Sequence, residues 1–242
     1  MKKRTLLGVL TPSSNTVLEP LTQAIVSDLD DVTAHFGRFR VTEISLNESA
    51  LGQFDNKPII EASKLLADAR VDTIVWSGTS SGWLGFDADE KLCEEIETAT
   101  GIPASTSVLA LNEIFEITGV QNFGLVTPYL DEIQEKIIAN YRSSGYECVA
   151  SKNLRDRGNF SFSEVTEDTV IEMIREAAKS KPDAITVFCT NLRGAGVADK
   201  MEKELGIPIY DTVSTAVWKA MKIAGASNER IKGWGRLFTE VK

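Results

Sequence analysis

The chain is predicted to fold as an α/β protein with two pseudo-symmetric lobes, each a parallel sheet flanked by helices. The candidate active site falls in the cleft between them. Three observations predict this. Strand-like apolar runs alternate with amphipathic helical stretches along the whole chain. Three motifs occur twice, in the same order. The strand ends so defined run into turns rich in hydroxyls, where ligands of parallel sheets bind.

The strand-like runs are Thr5–Leu10, Val32–Val41, Thr73–Trp76, Asn122–Val126 and Ala184–Phe188. Between them, helical periodicity covers Thr16–Leu29, Lys57–Ala69, Glu90–Thr98, Leu130–Tyr141, Val170–Lys179 and Thr212–Ile223. Gly8-Val-Leu-Thr-Pro12 returns as Gly124-Leu-Val-Thr-Pro128, and Asp72-Thr-Ile-Val-Trp-Ser-Gly78-Thr79 aligns with Asp183-Ala-Ile-Thr-Val-Phe-Cys189-Thr190. Gly101-Ile-Pro103 returns as Gly206-Ile-Pro208, each followed by a short β run and a helix. The offsets are 116, 111 and 105 residues, so order and spacing both persist. The reading is a lobe over 1–115, a second over 116–225, and a tail over 226–242 that closes on the first lobe.

A net charge of -9 leaves no Lys/Arg surplus for phosphates, which excludes a nucleic-acid partner. No apolar run is long enough to span a bilayer, so no membrane partner is expected. Met1-Lys2-Lys3-Arg4 followed by apolar residues has the look of a leader, but the run is short and ends in the turn Pro12–Asn15, so it is read as the first strand. Three cysteines without CxxC spacing fit a reducing cytoplasm. The single His35 lies within a strand-like stretch and is read as structural. With no GxGxxG, no P-loop and no cluster of metal-ligating residues, neither cofactor nor metal is expected.

Chemistry must then come from a thiol, hydroxyls and backbone amides. The cleft is expected to be lined by Pro12, Ser13 and Asn15, by Gly78, Thr79, Ser80 and Ser81, and by Tyr129, Cys189, Thr190 and Asn191. Turns of this kind attract anions when they open a helix, because the N–H groups there are unpaired. Cys189 ends a strand and opens such a turn, where N–H groups are expected to lower its pKa. Cys93 and Cys148 are read as packing residues.

These residues resemble the aspartate/glutamate racemase superfamily, and within it the branch of arylmalonate decarboxylases and maleate cis–trans isomerases. The resemblance rests on the two-lobe repeat, Pro12-Ser13-Ser14-Asn15, Gly78-Thr79-Ser80, Thr127-Pro128-Tyr129, the strand-end Cys189 and the closing Gly-Trp-Gly-Arg-Leu-Phe. Racemases of this kind carry a cysteine in each lobe, whereas here the position equivalent to Cys189 is Gly78. The decarboxylases likewise pair Gly-Thr-Ser with one opposing cysteine. The resemblance therefore implies a cofactor-independent decarboxylase of a malonate-type dicarboxylate. Thr79, Ser80 and Tyr129 would hold one carboxylate, with the N–H groups of Ser80, Cys189 and Thr190. The other carboxyl would leave as CO2, and Cys189 would protonate the resulting enediolate. Two features depart from the decarboxylase pattern. The Pro12–Asn15 turn is more like that of the isomerases, with Asn15 placed to bind a second carboxylate, and Thr190 stands where the decarboxylases carry glycine. A single-thiol isomerase or racemase, with Ser77, Ser81 or a water as the second group, is the alternative. A non-catalytic carboxylate-binding protein is the third reading. Gly78→Cys is expected to supply a second thiol facing Cys189 where the turn tolerates a Cβ, and to destabilise the fold where Gly78 has a positive φ.

Overall fold

In the computed structural model, which describes residues 4–41 and 56–242, each half of the chain builds one parallel sheet. The basic Met1–Lys3 start lies outside the described residues. The first sheet contains β1 (Thr5–Pro12), β2 (Val32–Phe39), β3 (Thr73–Trp76) and β4 (Ala104–Thr106), in the order β2-β1-β3-β4. The second contains β5 (Asn122–Thr127), β6 (Glu147–Asn153), β7 (Ala184–Val187) and β8 (Ile209–Asp211), in the order β6-β5-β7-β8. Every strand pair within the two sheets is parallel. The shared order is the structural form of the sequence repeat, and the central strands β3 and β7 are buried along their whole length.

Ten α-helices among the described residues connect these strands. They are α1 (Leu18–Val26), α2 (Asn56–Asp68), α3 (Ser81–Leu84), α4 (Phe86–Thr100) and α5 (Ser107–Thr118) in the first half. The second half adds α6 (Asp131–Ser143), α7 (Glu167–Ala178), α8 (Ala195–Leu205), α9 (Thr212–Ile223) and α10 (Leu237–Glu240). Gly101, Gly119 and Gly206 end α4, α5 and α8 in the left-handed conformation that favours glycine there.

The last long helix of each half crosses to the other. Phe115 on α5 packs against Phe123 of β5 and Tyr210 of β8 at ring centroid separations of 5.5 and 6.2 Å. In return α9 packs against β3, β4 and α5. Thr215 Oγ1 donates to the Ser107 carbonyl at 2.8 Å where the two helices begin. The sequence boundary at 225 assigned α9 to the second lobe, but its buried face completes the first. The physical reason is that α9 is buried nearly all round, with nine buried residues, and one sheet alone does not cover it.

The tail is bonded at several points. The Arg236 N–H donates to Glu202 Oε2 at 2.7 Å, and the Trp218 indole N–H on α9 donates to the Val241 carbonyl at 3.2 Å. Arg230, ion-paired with Asp31, ties the tail to the first lobe. A buried carboxylate on α8 and a buried indole N–H on α9 both needed partners, and the tail supplies them.

Candidate active site

The carboxyl ends of β1, β3, β5 and β7 meet between the two sheets, where Pro12, Gly78, Thr79, Ser80, Tyr129, Cys189 and Thr190 line one cavity. Val41, Trp76, Trp83 and Asn159 complete it. The cavity is tight, with only about 20 Å³ open to the centre of a water-sized molecule.

Two hydroxyls and the thiol form its polar side. The Tyr129 hydroxyl and Thr79 Oγ1 are 2.7 Å apart, joining the lobes across the cleft, and the same phenol is hydrogen-bonded to the Cys189 side chain. The Tyr129 ring is fixed by edge contacts with Trp83 at 5.4 Å and Phe162 at 5.7 Å. Ser80 lines the cavity with a hydroxyl that has no partner among the described residues.

Cys189 is buried, and its sulfur accepts the Asn191 N–H at 3.4 Å. Burial pushes its thiol up to about 12, overriding the N–H groups and the Tyr129 hydroxyl that favour the thiolate. This corrects the expectation of a lowered pKa. Cys189 does not sit at a helix start, because α8 begins only at Ala195, and the dipole fades over one turn. The first-lobe turn likewise opens only the four-residue α3. Burial also pushes the Tyr129 phenol far up. At neutral pH the cleft therefore presents uncharged proton donors.

Three residues expected in the cleft face elsewhere. Asn15 accepts the Val17 and Leu18 N–H groups through Oδ1, capping α1, while its amide donates to Thr190 Oγ1 at 3.2 Å. Ser13 is exposed and bonded through its hydroxyl to the Val41 carbonyl. Ser81 turns its hydroxyl down to Asp89 at 2.7 Å. All three belong to the scaffold of the cleft. Asn191 is a clasp as well, taking the Thr16 N–H at 3.1 Å and donating to the Asn159 carbonyl. Local hydrogen bonds satisfied these side chains before any ligand could, a choice that residue type does not reveal. His35 lies on β2, bonded to Thr33 at 3.0 Å, and among the described residues no cluster fit for a metal occurs.

Four lining residues were missed by sequence reasoning. Trp76 ends a strand that the sequence does mark, so the strand-end rule could have found it. Asn159 lies in an aperiodic stretch that gives no signal.

Gly78 is not among the positive-φ glycines, so backbone strain does not explain it. Its reason is steric: a Cβ built there would stand 2.0 Å from Cζ2 of Trp76.

Beneath the cleft lie two buried carboxyls. Asp89 accepts from Ser81 and Thr106, and Asp211 caps α9 by accepting the Val213 and Ser214 N–H groups. Burial raises them to about 6 and about 7 respectively. In the unfolded chain both return to the ordinary low value, so the fold binds these protons more tightly. That contribution to stability is complete below about pH 4 and is lost as pH rises through about 6 and 7. Asp131 and Asp183, which are shifted down, act below this window. The melting temperature is therefore expected to fall between about pH 5 and pH 8. Asp211→Asn, which keeps the capping oxygen, should flatten that slope in thermal melts, and an unchanged slope would remove Asp211 from its cause.

The two parallel sheets thus bring a buried thiol, a phenol and hydroxyl-bearing turns to one set of strand ends, the arrangement of an α/β protein with its site between two lobes. The family profile of arylmalonate decarboxylase matches residues 14–238, and the chain belongs to that family. It is 24% identical over 185 residues to arylmalonate decarboxylase of Bordetella bronchiseptica, covering 75% of this chain and 77% of that protein. It is 22% identical over 233 residues to maleate isomerase of Geobacillus stearothermophilus, covering 92% of each. Among solved structures, Nocardia farcinica maleate cis–trans isomerase carrying a covalently bound succinylcysteine intermediate superposes with a TM-score of 0.88 at 21% identity, covering 98% of this chain and 99% of that one. Arylmalonate decarboxylase superposes with a TM-score of 0.77 at 20% identity, covering 96% and 98%.

Proposed function

We propose that the protein decarboxylates a malonate-type dicarboxylate through an enediolate protonated by Cys189. The observation that carries this reading is a single thiol in the cleft, kept protonated by burial, opposite a glycine covered by an indole. A thiol pushed up to about 12 is suited to giving a proton and poorly suited to adding to a double bond as a thiolate.

In this reading one carboxylate is held by the hydroxyls of Thr79, Ser80 and Tyr129 and by nearby backbone N–H groups. The other lies against Trp76, Trp83 and Val41, where it loses its water. The bond from the central carbon to that carboxyl breaks, CO2 leaves, and the electron pair passes into the held carboxylate as an enediolate. The same donors stabilise the charge that develops there. The Cys189 S–H then delivers its proton to the carbon and regains one from water.

The second reading is a single-thiol isomerase or racemase of a small carboxylate. It is favoured by the fuller coverage of the maleate isomerase relative. A non-catalytic carboxylate-binding protein is the third. One NMR screen in D2O with malonates, maleate and amino acids separates them. The expected result is loss of one carboxyl from a malonate, with deuterium at the new C–H bond. Conversion of maleate to fumarate, or exchange of an amino-acid α-proton, would replace the proposal with the second reading. Thermal stabilisation by these acids without turnover would leave the third.

A further inference from the structure

We infer that Trp76 makes the cleft one-sided: its indole fills the first-lobe position that faces Cys189, excludes a second acid or base there, and walls the face of the substrate opposite the thiol. The catalytic half of this inference rests on the decarboxylase reading, and the steric half does not.

A side chain at 78 would run into Trp76. A Cβ on Gly78 would lie 2.0, 2.2 and 2.6 Å from Cζ2, Cε2 and Cη2 of Trp76. All three nearest atoms belong to one indole and none to backbone, so a single side chain is the obstacle. The turn itself offers no objection, because Gly78 does not have positive φ. Nor is the indole free to swing away. Trp76 is only 2% exposed, its ring packs on Phe39 at 4.8 Å, and its backbone is held in register between Leu10 and Thr106.

The second lobe shows the complementary choice. The repeat aligns Trp76 with Val187 and Gly78 with Cys189. Valine at the strand end is too short to reach over the position two residues on, and there a thiol lines the cleft. One lobe thus carries a large residue followed by no side chain, and the other a small residue followed by a thiol. The two arrangements exclude each other at a single strand end. A planar enediolate between them meets a proton donor on one face and an apolar ring on the other.

The test is a cycle of Trp76→Val, Gly78→Cys and the double variant, followed by thermal melting and by native thiol titration. Gly78→Cys alone forces a clash in a packed core and should lower the melting temperature by roughly 5–10 °C. On the Trp76→Val background the same change should carry little or no penalty, and the introduced thiol should react in the folded protein. A strongly non-additive cycle supports the steric half. An equal penalty on both backgrounds, or none on either, would overturn it. The catalytic half is read with a 2-aryl-2-methylmalonate as probe. Wild type should give one enantiomer of the monoacid, and the double variant a product of much lower enantiomeric purity. Unchanged purity in a folded, active double variant would overturn this half. If wild type does not turn over the probe but the cycle is non-additive, the decarboxylase reading fails while the steric assignment of Trp76 stands.

Discussion

Cys189→Ala should reduce turnover by at least about 10²–10⁴-fold while leaving the protein folded. The thiol is the single acid expected to reach the reacting carbon, and alanine at 189 leaves no proton to give. Structurally the loss is slight, because the sulfur accepts only the backbone N–H groups of Asn191, at 3.4 Å, and Leu192, beside its contact with Tyr129. A cavity the size of one sulfur lowers the melting temperature of a chain this long by only a few degrees, on the order of 2–4 °C. Cys93→Ala and Cys148→Ala provide the control. Cys93 lies within α4 and Cys148 on the edge strand β6, and neither lines the cavity. Steady-state kinetics should find both variants close to wild type, and equal losses from all three would reduce the cysteines to packing residues. The pH profile adds a separate check. A thiol that keeps its proton to about 12 gives a rate that is level through the alkaline range to about pH 10, whereas attack by a thiolate would climb with pH.

Tyr129→Phe should lower kcat by roughly 10²-fold, with a smaller effect on KM. The phenol is a preorganised donor in a dry cleft, bonded to Thr79 at 2.7 Å and to Cys189. Removing the hydroxyl alone keeps the ring between Trp83 and Phe162, so the fold and the cavity wall persist. Thr79→Val breaks the same pair from the other side. The two changes together should therefore cost much less than the product of their separate effects. Malonate-induced thermal stabilisation should fall in each variant. Wild-type kinetics in Tyr129→Phe would place the hydroxyl outside the reaction.

The strands and turns were legible because burial writes them into composition. Thr73–Trp76 and Ala184–Val187 are short apolar runs between polar stretches, as central parallel strands are, and the two Gly-Ile-Pro motifs announce β4 and β8. Strand β6 was not seen. Its sequence Glu147–Asn153 alternates between exposed and half-buried residues on a sheet edge, and its pairing with β5 shifts between Phe123 and Gly124. Of the candidate site, Thr79, Ser80, Tyr129, Cys189, Gly78, Pro12 and Thr190 do meet in one cavity. Asn15, Ser13 and Ser81 do not, because a short polar side chain serves backbone groups and ligands through the same atoms. Trp76 folding back over Gly78 is a matter of rotamer and neighbours, which no spacing in the chain encodes. The direction of the Cys189 shift was missed for a related reason. Local N–H groups can be read from a turn, but the depth of burial that outweighs them belongs to the whole fold.

The exchange of α5 and α9 has a consequence for how the chain reaches its native state. The apolar faces of β3 and β4 are made by the first half of the polypeptide, yet the helix that covers them is made from Thr212–Ile223. The bond from Thr215 to Ser107 spans 108 positions. During synthesis the leading half emerges with that surface bare and waits, aggregation-prone, until the trailing segment leaves the ribosome. Folding that depends on such distant partners is slow, because chain entropy is lost before those contacts form. It is also all-or-none. A chain stopped near residue 115 lacks the helix that seals its own sheet, so the two copies of an ancestral unit, if they arose by duplication, have since lost the ability to fold apart.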